Sequence, residues 1–284
     1  MPPIPSLPRW DGHVHSQFAP HGQFAPHGDP SATESFLQHA VSLGFTRVTL
    51  AEHAPLPDAF PDPTPDHDGN LSAEQLEPYL RHAADLRERW RGRLDILVGL
   101  EVDLLPGHED HARSLVERHA GTLDEVVASL HLLPLGRDEW GSIDYSPETF
   151  AETARRCGSV AALRRRYLET LAEQIDRDAC KSLPHRLGHP LLVDKFRRLF
   201  PETSPLEDSL AEAVVAAASA HGWSLDLNAA GLRKPHCGML YLRGPMLAAA
   251  RRFAVPVVYG SDAHRPEEVG AGWSEAVAEF EGSG

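Results

Sequence analysis

Short runs rich in Val, Ile and Leu recur along the chain, separated by longer stretches in which apolar residues return every three or four positions. The runs RVTLAEH (47–53), ILVGLEVD (96–103) and VPVVYGSD (255–262) are apolar over most of their length, as strands covered on both faces are. This patterning predicts strands over residues 10–15, 47–53, 95–103, 125–133, 183–189, 223–228 and 255–262. Helices are predicted over 31–43, 73–91, 160–177, 206–221 and 244–253. Asp29 stands as an N-cap, with Pro30 at the first helical position and Gly44 closing that helix. Strand–helix alternation of this kind implies parallel strands joined by crossover helices, and about seven of them can close into a barrel. The loop 55–65 carries five prolines and reads as a rigid excursion over one end.

Where the polar residues interrupt the pattern is more telling. Almost every predicted strand finishes on a histidine or a carboxylate: His13 and His15, His53, Glu101, His131, His189, and Asp262 with His264 just beyond. In a (β/α) barrel the C-terminal strand ends share one rim, where sites are built. Any one of these histidines, taken alone, reads as a hydrogen-bonded or surface residue. Six strands delivering ligand-type side chains to one rim do not.

Composition sharpens this. Seventeen histidines outnumber the ten Phe and five Tyr together, which points to metal or acid–base chemistry. The net charge of −14 argues against a large nucleic-acid footprint and implies no nucleic-acid partner. Cys157, Cys180 and Cys237 form no CxxC pair and no disulfide framework. There is no run of 18 apolar residues, and the first ten residues are proline-rich without a signal-peptide core. The expectation is a cytoplasmic protein with no membrane association. A length of 284 residues suits one α/β domain over 1–284.

Imidazole and carboxylate together suit Zn²⁺, Mn²⁺ or Fe²⁺. His13 and His15, two apart on one strand, point to the same face and can serve one ion. The segments LAEH, GLEVD, SLH, LGH and GSDAH then follow in order.

With these motifs on the page, the chain resembles the polymerase and histidinol phosphatase (PHP) family, and within it the monofunctional histidinol-phosphatases. DGHVHS, FAPHG, EHAPLP, VGLEVD, SLHLL, LGHP, LDLNAAGLRKP and GSDAHRPEEVG carry the resemblance, from Asp11 to about Trp273. It implies a distorted seven-stranded (β/α) TIM-like barrel of the PHP type holding three divalent metal ions, Zn, Mn or Fe. By the same resemblance His13, His15, Glu101 and Asp262 hold the first metal, and Glu101 bridges to a second held by His131 and His189. His53, His264 and a loop histidine hold the third. Arg233 resembles the family's phosphate-binding arginine, with a surface charge as its other reading. Asn228 either orients substrate or a water behind the ligands, or only caps its strand.

The implied reaction is hydrolysis of L-histidinol phosphate, a small-molecule substrate, in histidine biosynthesis. A metal-bridging hydroxide held by Glu101 and Asp262 would attack the phosphorus. Two alternatives stay open: a related phosphoesterase acting on another small ester or a nucleic-acid end, and a non-catalytic interaction module of the same fold. The oligomeric state is not implied by any of this.

The loop after the HxH pair repeats QFAPHG at 17–22 and 23–28. His21 has the family's spacing from His15, and His27 its spacing to the following helix. Placing the extra six residues away from the strand favours His21 over His27. After GSDAHRPEEVG only 14 residues remain, fewer than in the family, so the barrel's closing segment is expected to be short. Three motifs read as decoys. DHDGN at 66–70 imitates a calcium loop but has Leu71 where a glycine is required. His108, His111 and His119 read as a solvated helical face, and Arg164 to Arg166 as an exposed one.

Overall fold

The computed structural model describes residues 6–16, 18, 30–204 and 206–282. Along the chain, β1 (Trp10–Val14) leads to α1 (Pro30–Ser42), β2 (Arg47–His53), α2 (Ala73–Arg89), β3 (Asp95–Asp103) and α3 (Glu109–His119). Next come β4 (Glu125–Ser129), a hairpin of β5 (Leu132–Gly136) and β6 (Glu139–Ser142), then α4 (Pro147–Cys157) and α5 (Val160–Arg177). The remainder runs β7 (His185–Leu187), α6 (Glu207–His221), β8 (Ser224–Asn228), α7 (Ala230–Arg233), α8 (Gly244–Arg252), β9 (Val257–Gly260) and α9 (Trp273–Gly282).

Seven strands form one parallel sheet in the order β1-β2-β3-β4-β7-β8-β9. The seam between its two ends is narrow. Val14 bridges Ala263, His15 N donates to Ala263 O at 2.9 Å, and Asp262 N donates to His13 O at 2.8 Å. The Asp11 carboxylate ties the same seam by accepting from Ser261 N and Gly270 N. Trp273 at the start of α9 packs edge-on against Phe45 and Tyr259, and Ala276 and Phe280 are buried. The result is a nearly closed seven-stranded (β/α) barrel.

Helix starts follow local chemistry. Ser72 with Gln75 and Ser146 with Thr149 form reciprocal caps for α2 and α4, and Ser159 caps α5. Two elements depart from the expected pattern. The run expected as a strand over 125–133 breaks at Leu130 and His131, because the apolar letters of SLHLLPL belong to two structures. The second is a hairpin, where Pro134 is tolerated as it would not be in a central strand. Arg164 is fully buried, not exposed: it pairs with the Asp194 carboxylate, which also receives Arg197 and Arg243. No helix among the described residues is long and apolar enough to cross a membrane.

Inside the barrel, the end opposite the rim is filled by a buried polar group. Arg186 donates to Glu125 and to Gly12 O, Thr49 donates to Glu125, and Trp10 Nε1 donates to Thr49. The histidines collect at the other end.

Candidate metal centre

Parallel register brings the strand ends together. His53 stands opposite Glu101 on β3, so β2 and β3 deliver an imidazole and a carboxylate side by side. On β1 and the residue that follows it, the two-residue period turns His13 and His15 to the interior, where both are buried. Gly260 makes room beneath them. A Cβ there would lie 2.2 Å from Asp226 Oδ1 and 2.8 Å from His13 Cβ, so only glycine fits.

Glu101 is the centre of the cluster and 1% exposed. Its Oε2 lies 3.4 Å from His13 Nε2, 3.5 Å from His15 Nε2 and 3.1 Å from His53 Nδ1. Its Oε1 lies 2.8 Å from His189 Nε2 and 3.5 Å from His131 Nε2. Each oxygen therefore faces its own set of imidazoles. Asp262 Oδ1 stands 3.3 Å from His15 Nε2, and the His264 ring stacks on His15 with centroids 4.0 Å apart. His189 (φ 26°) and Asp262 (φ 54°) both hold left-handed backbone. Such conformations cost a non-glycine residue about 1–3 kcal/mol and cluster at functional sites.

The imidazoles are held from behind. His13 Nδ1 meets Asp226 Oδ2 at 2.8 Å, His15 Nδ1 meets Glu52 Oε1 at 3.3 Å, and His131 Nδ1 meets Asp103 Oδ1 at 2.8 Å. A carboxylate on Nδ1 fixes the tautomer and leaves the Nε2 lone pair directed inward. His13 Nε2 and His15 Nε2 are buried with no hydrogen-bond partner. His131 Nε2 and His189 Nε2 converge to 3.2 Å.

Three groups bring their donor atoms within 4.8 Å of one another: His13, His15 and Glu101; His53, Glu101 and His131; and His15, His53 and His264. Orphaned imidazole nitrogens converging on a buried carboxylate are a donor set that divalent cations fit.

Charge says the same. Burial alone would raise the Glu101 carboxyl, yet His53, His13 and His131 hold it well below the usual carboxylate range. Asp262, also raised by burial, is held low chiefly by His13 and His15. Burial would lower His131, but Asp103 and Glu101 push it up to about 10. His15, against the same desolvation, is pushed up to about 9 by Asp262 and Glu52. The pocket is rich in anionic oxygen and calls for positive charge at its centre.

The structure thus gathers His13, His15, His53, Glu101, His131, His189, Asp262 and His264 at one rim, while His21 and His27 lie outside the described residues. Asn228 faces inward to the protein. It donates to Asp226 Oδ2 (3.0 Å) and Asp262 Oδ2 (3.3 Å) and accepts from Ala230 N. Arg233 Nη2 donates to the carbonyls of Ser261 and Asp262, which secures the turn carrying Asp262, and its Nη1 is buried without a partner.

Sequence reasoning missed Glu52, Asp103 and Asp226. The last two sit two residues from Glu101 and Asn228 on β3 and β8, a spacing that could have marked them as sharing a face. Above the cluster opens a cavity of about 470 Å³. Its walls include Asp62 of the proline-rich loop, Asp66 and Asn70 just after it, and Tyr145, Lys195 and Lys234. The DHDGN segment is thus part of the cavity wall. His111, expected on a solvated face, bonds instead to Pro55 O at 2.9 Å and so braces that loop.

Known proteins resemble this chain in sequence and in fold. Residues 11–228 match the PHP domain family, and residues 246–282 match the PHP-associated family. The histidinol-phosphatase of Bacillus subtilis (strain 168) is 35% identical over 261 residues, covering 92% of this chain and 95% of that protein. A crystal structure from Listeria monocytogenes, assigned to histidinol phosphatase, superposes with a TM-score of 0.86 at 31% identity, over 94% of this chain and 99% of that one. The histidinol phosphate phosphatase of Lactococcus lactis, solved with zinc, L-histidinol and phosphate, shares the fold. Its TM-score is 0.71 at 17% identity, over 98% of this chain and 95% of that one.

Proposed function

The chain belongs to the PHP-domain family, and on that premise we propose that it hydrolyses L-histidinol phosphate to L-histidinol and phosphate, a step of histidine biosynthesis, with three divalent metal ions. One observation carries this reading: the two oxygens of buried Glu101 face two separate sets of imidazoles. A carboxylate so placed could be shared between ions. A first ion would be held by His13, His15, Glu101 and Asp262, and a second by Glu101, His131 and His189. A third would be held by His53, His264 and a loop histidine, His21 in preference to His27. Zinc, manganese and iron(II) all match this nitrogen and oxygen donor set.

Ions bound there supply Lewis acidity to phosphoryl oxygens and a deprotonated water at neutral pH. The protein's part is positioning. Asp226, Glu52 and Asp103 hold imidazoles by Nδ1 and keep their Nε2 atoms inward. Asn228 holds Asp226 and Asp262 together. Arg233 secures the Asp262 turn through the carbonyls of Ser261 and Asp262. The cavity, about 470 Å³, suits a small molecule.

Two expected results test this. The kcat/KM for L-histidinol phosphate should exceed that for p-nitrophenyl phosphate by about 100-fold or more, as for a site with groups that read the rest of the substrate. Comparable values would make the enzyme a general phosphomonoesterase. For the loop ligand, His21→Ala should remove about one ion per chain and lower the rate, while His27→Ala leaves metal content and rate unchanged. The reverse pattern in metal analysis transfers the ligand role to His27.

A further inference from the structure

Arginine supplies nearly all the positive charge in this chain. Of 27 cationic side chains, only Lys181, Lys195 and Lys234 are lysine. Two of those three, Lys195 and Lys234, line the cavity over the metal cluster. A chain that uses arginine almost everywhere else keeps the compact ammonium at the place where a substrate would sit.

The two lysines differ in what they hold. Lys195 Nζ donates to Asp144 Oδ2 at 3.1 Å. Lys234 forms no side-chain hydrogen bond or ion pair with any described residue. Its backbone, by contrast, is fixed. Lys234 N donates to Gly231 O, and Lys234 O accepts from Cys237 N at 3.0 Å. Gly231 permits this turn: a Cβ there would lie 2.1 Å from Met239 O and 3.1 Å from the Tyr241 ring. Tyr241, fully buried, lines the same cavity and leaves its hydroxyl without a hydrogen bond.

Lys234 follows directly on Arg233 at the end of α7, so it stands beside the turn that carries Asp262. Burial, then the neighbouring charge of Lys195, lowers its pKa from the usual lysine range. Asp262 and Glu268 act on it in the opposite sense, but no described carboxylate is hydrogen-bonded to it; a partly desolvated ammonium so mounted above the cluster is suited to an oxyanion.

We propose that Lys234 is a phosphate-binding residue whose ammonium contacts an oxygen of the substrate's phosphoryl group. This assignment rests on the reading of the site as a phosphomonoesterase. Lysine meets phosphate as a rotatable point charge, which suits a phosphoryl group whose other oxygens face cations.

The test uses metal-loaded enzyme and inorganic phosphate as the probe. Lys234→Met should raise the inhibition constant of phosphate, and the KM of L-histidinol phosphate, by about tenfold to a hundredfold, the size of one charged contact. The inhibition constant of L-histidinol, which lacks the phosphate, and the metal content should stay at wild-type values. Lys234→Arg should recover part of the loss.

An unchanged phosphate constant in Lys234→Met would overturn the proposal, and so would equal weakening of phosphate and L-histidinol, which marks a general disturbance of the cavity. A fall in kcat with phosphate binding intact would also overturn it, and would assign Lys234 to proton delivery. Calorimetric titration of phosphate needs no turnover. An enzyme inactive on L-histidinol phosphate would therefore refute the substrate while still reporting on Lys234. If Lys234→Met fails to fold, Lys234→Gln carries the same comparison.

Discussion

Glu101→Gln is expected to leave a folded protein that has lost most of its bound metal and at least about 10³-fold of its phosphatase rate. The carboxylate is 1% exposed and faces five imidazoles, three on one oxygen and two on the other. Glutamine has nearly the same shape but a single acceptor oxygen. Its NH₂ would point at imidazole nitrogens that must present lone pairs to a cation. One neutral amide cannot hold two divalent ions close together.

Metal analysis and kcat, with a thermal melt to show that the fold survives, decide the matter. Wild-type metal content and rate in Glu101→Gln would remove the bridging role. The comparison variant is Asp103→Asn, which touches the cluster only through His131 Nδ1. It should weaken metal affinity by about 10–100-fold, as substitutions behind a ligand do. Removing the ions with a chelator should abolish activity in the wild type, and Mn²⁺, Zn²⁺ or Fe²⁺ should restore it.

The cluster of histidines and carboxylates could be read from the sequence because a parallel barrel turns strand ends into a rim. With 47–53 and 95–103 as parallel strands, His53 and Glu101 fall at the same end, and the register sets them side by side. Which imidazole each carboxylate behind the cluster serves was not legible. Asp226 serves His13 from 213 residues away, and nothing in DLN distinguishes a partner of histidine from a strand-end acid. Glu52 was hidden by its own neighbour, since LAEH drew attention to His53. Lys234 was likewise overshadowed by Arg233 in GLRKP, though only the lysine lines the cavity.

The hairpin at 132–142 was missed for a different reason. Apolar letters continue through SLHLLPL while the chain leaves the barrel, and period alone cannot register a change of partner. Arg164 shows the limit of composition. A charged helical triplet reads as solvated until the buried Asp194 beside it is known.

Stability should depend on the opposite end of the barrel. Arg186→Ala is expected to destabilise the protein by about 3–5 kcal/mol, because it strands a buried carboxylate. Glu125 and Arg186 side chains are 7% and 1% exposed, and Arg186 Nη2 lies 2.5 Å from Glu125 Oε1 and 3.0 Å from Gly12 O. The guanidinium also stacks 5.0 Å from the Trp10 ring, so it fills volume as well as charge. For a chain of this length such a loss lowers the melting temperature by about 10 °C.

The pair itself is not expected to be strongly favourable. Arg186 Nε and Nη1 are buried without hydrogen-bond partners, and desolvating both ions offsets much of their attraction. The double variant Arg186→Met with Glu125→Gln should therefore regain most of the lost stability, since it removes both charges and keeps the volume. The amide oxygen introduced by Glu125→Gln would still accept the Thr49 hydroxyl that Glu125 accepts now. Thermal melts of the metal-loaded single and double variants separate the two contributions. If Arg186→Ala melts within about 2 °C of wild type, water reaches the barrel base and the penalty for an unpaired charge does not apply there. If the double variant is as unstable as the single one, the guanidinium's packing on Trp10, and not its pairing with Glu125, sets the stability of this end of the barrel.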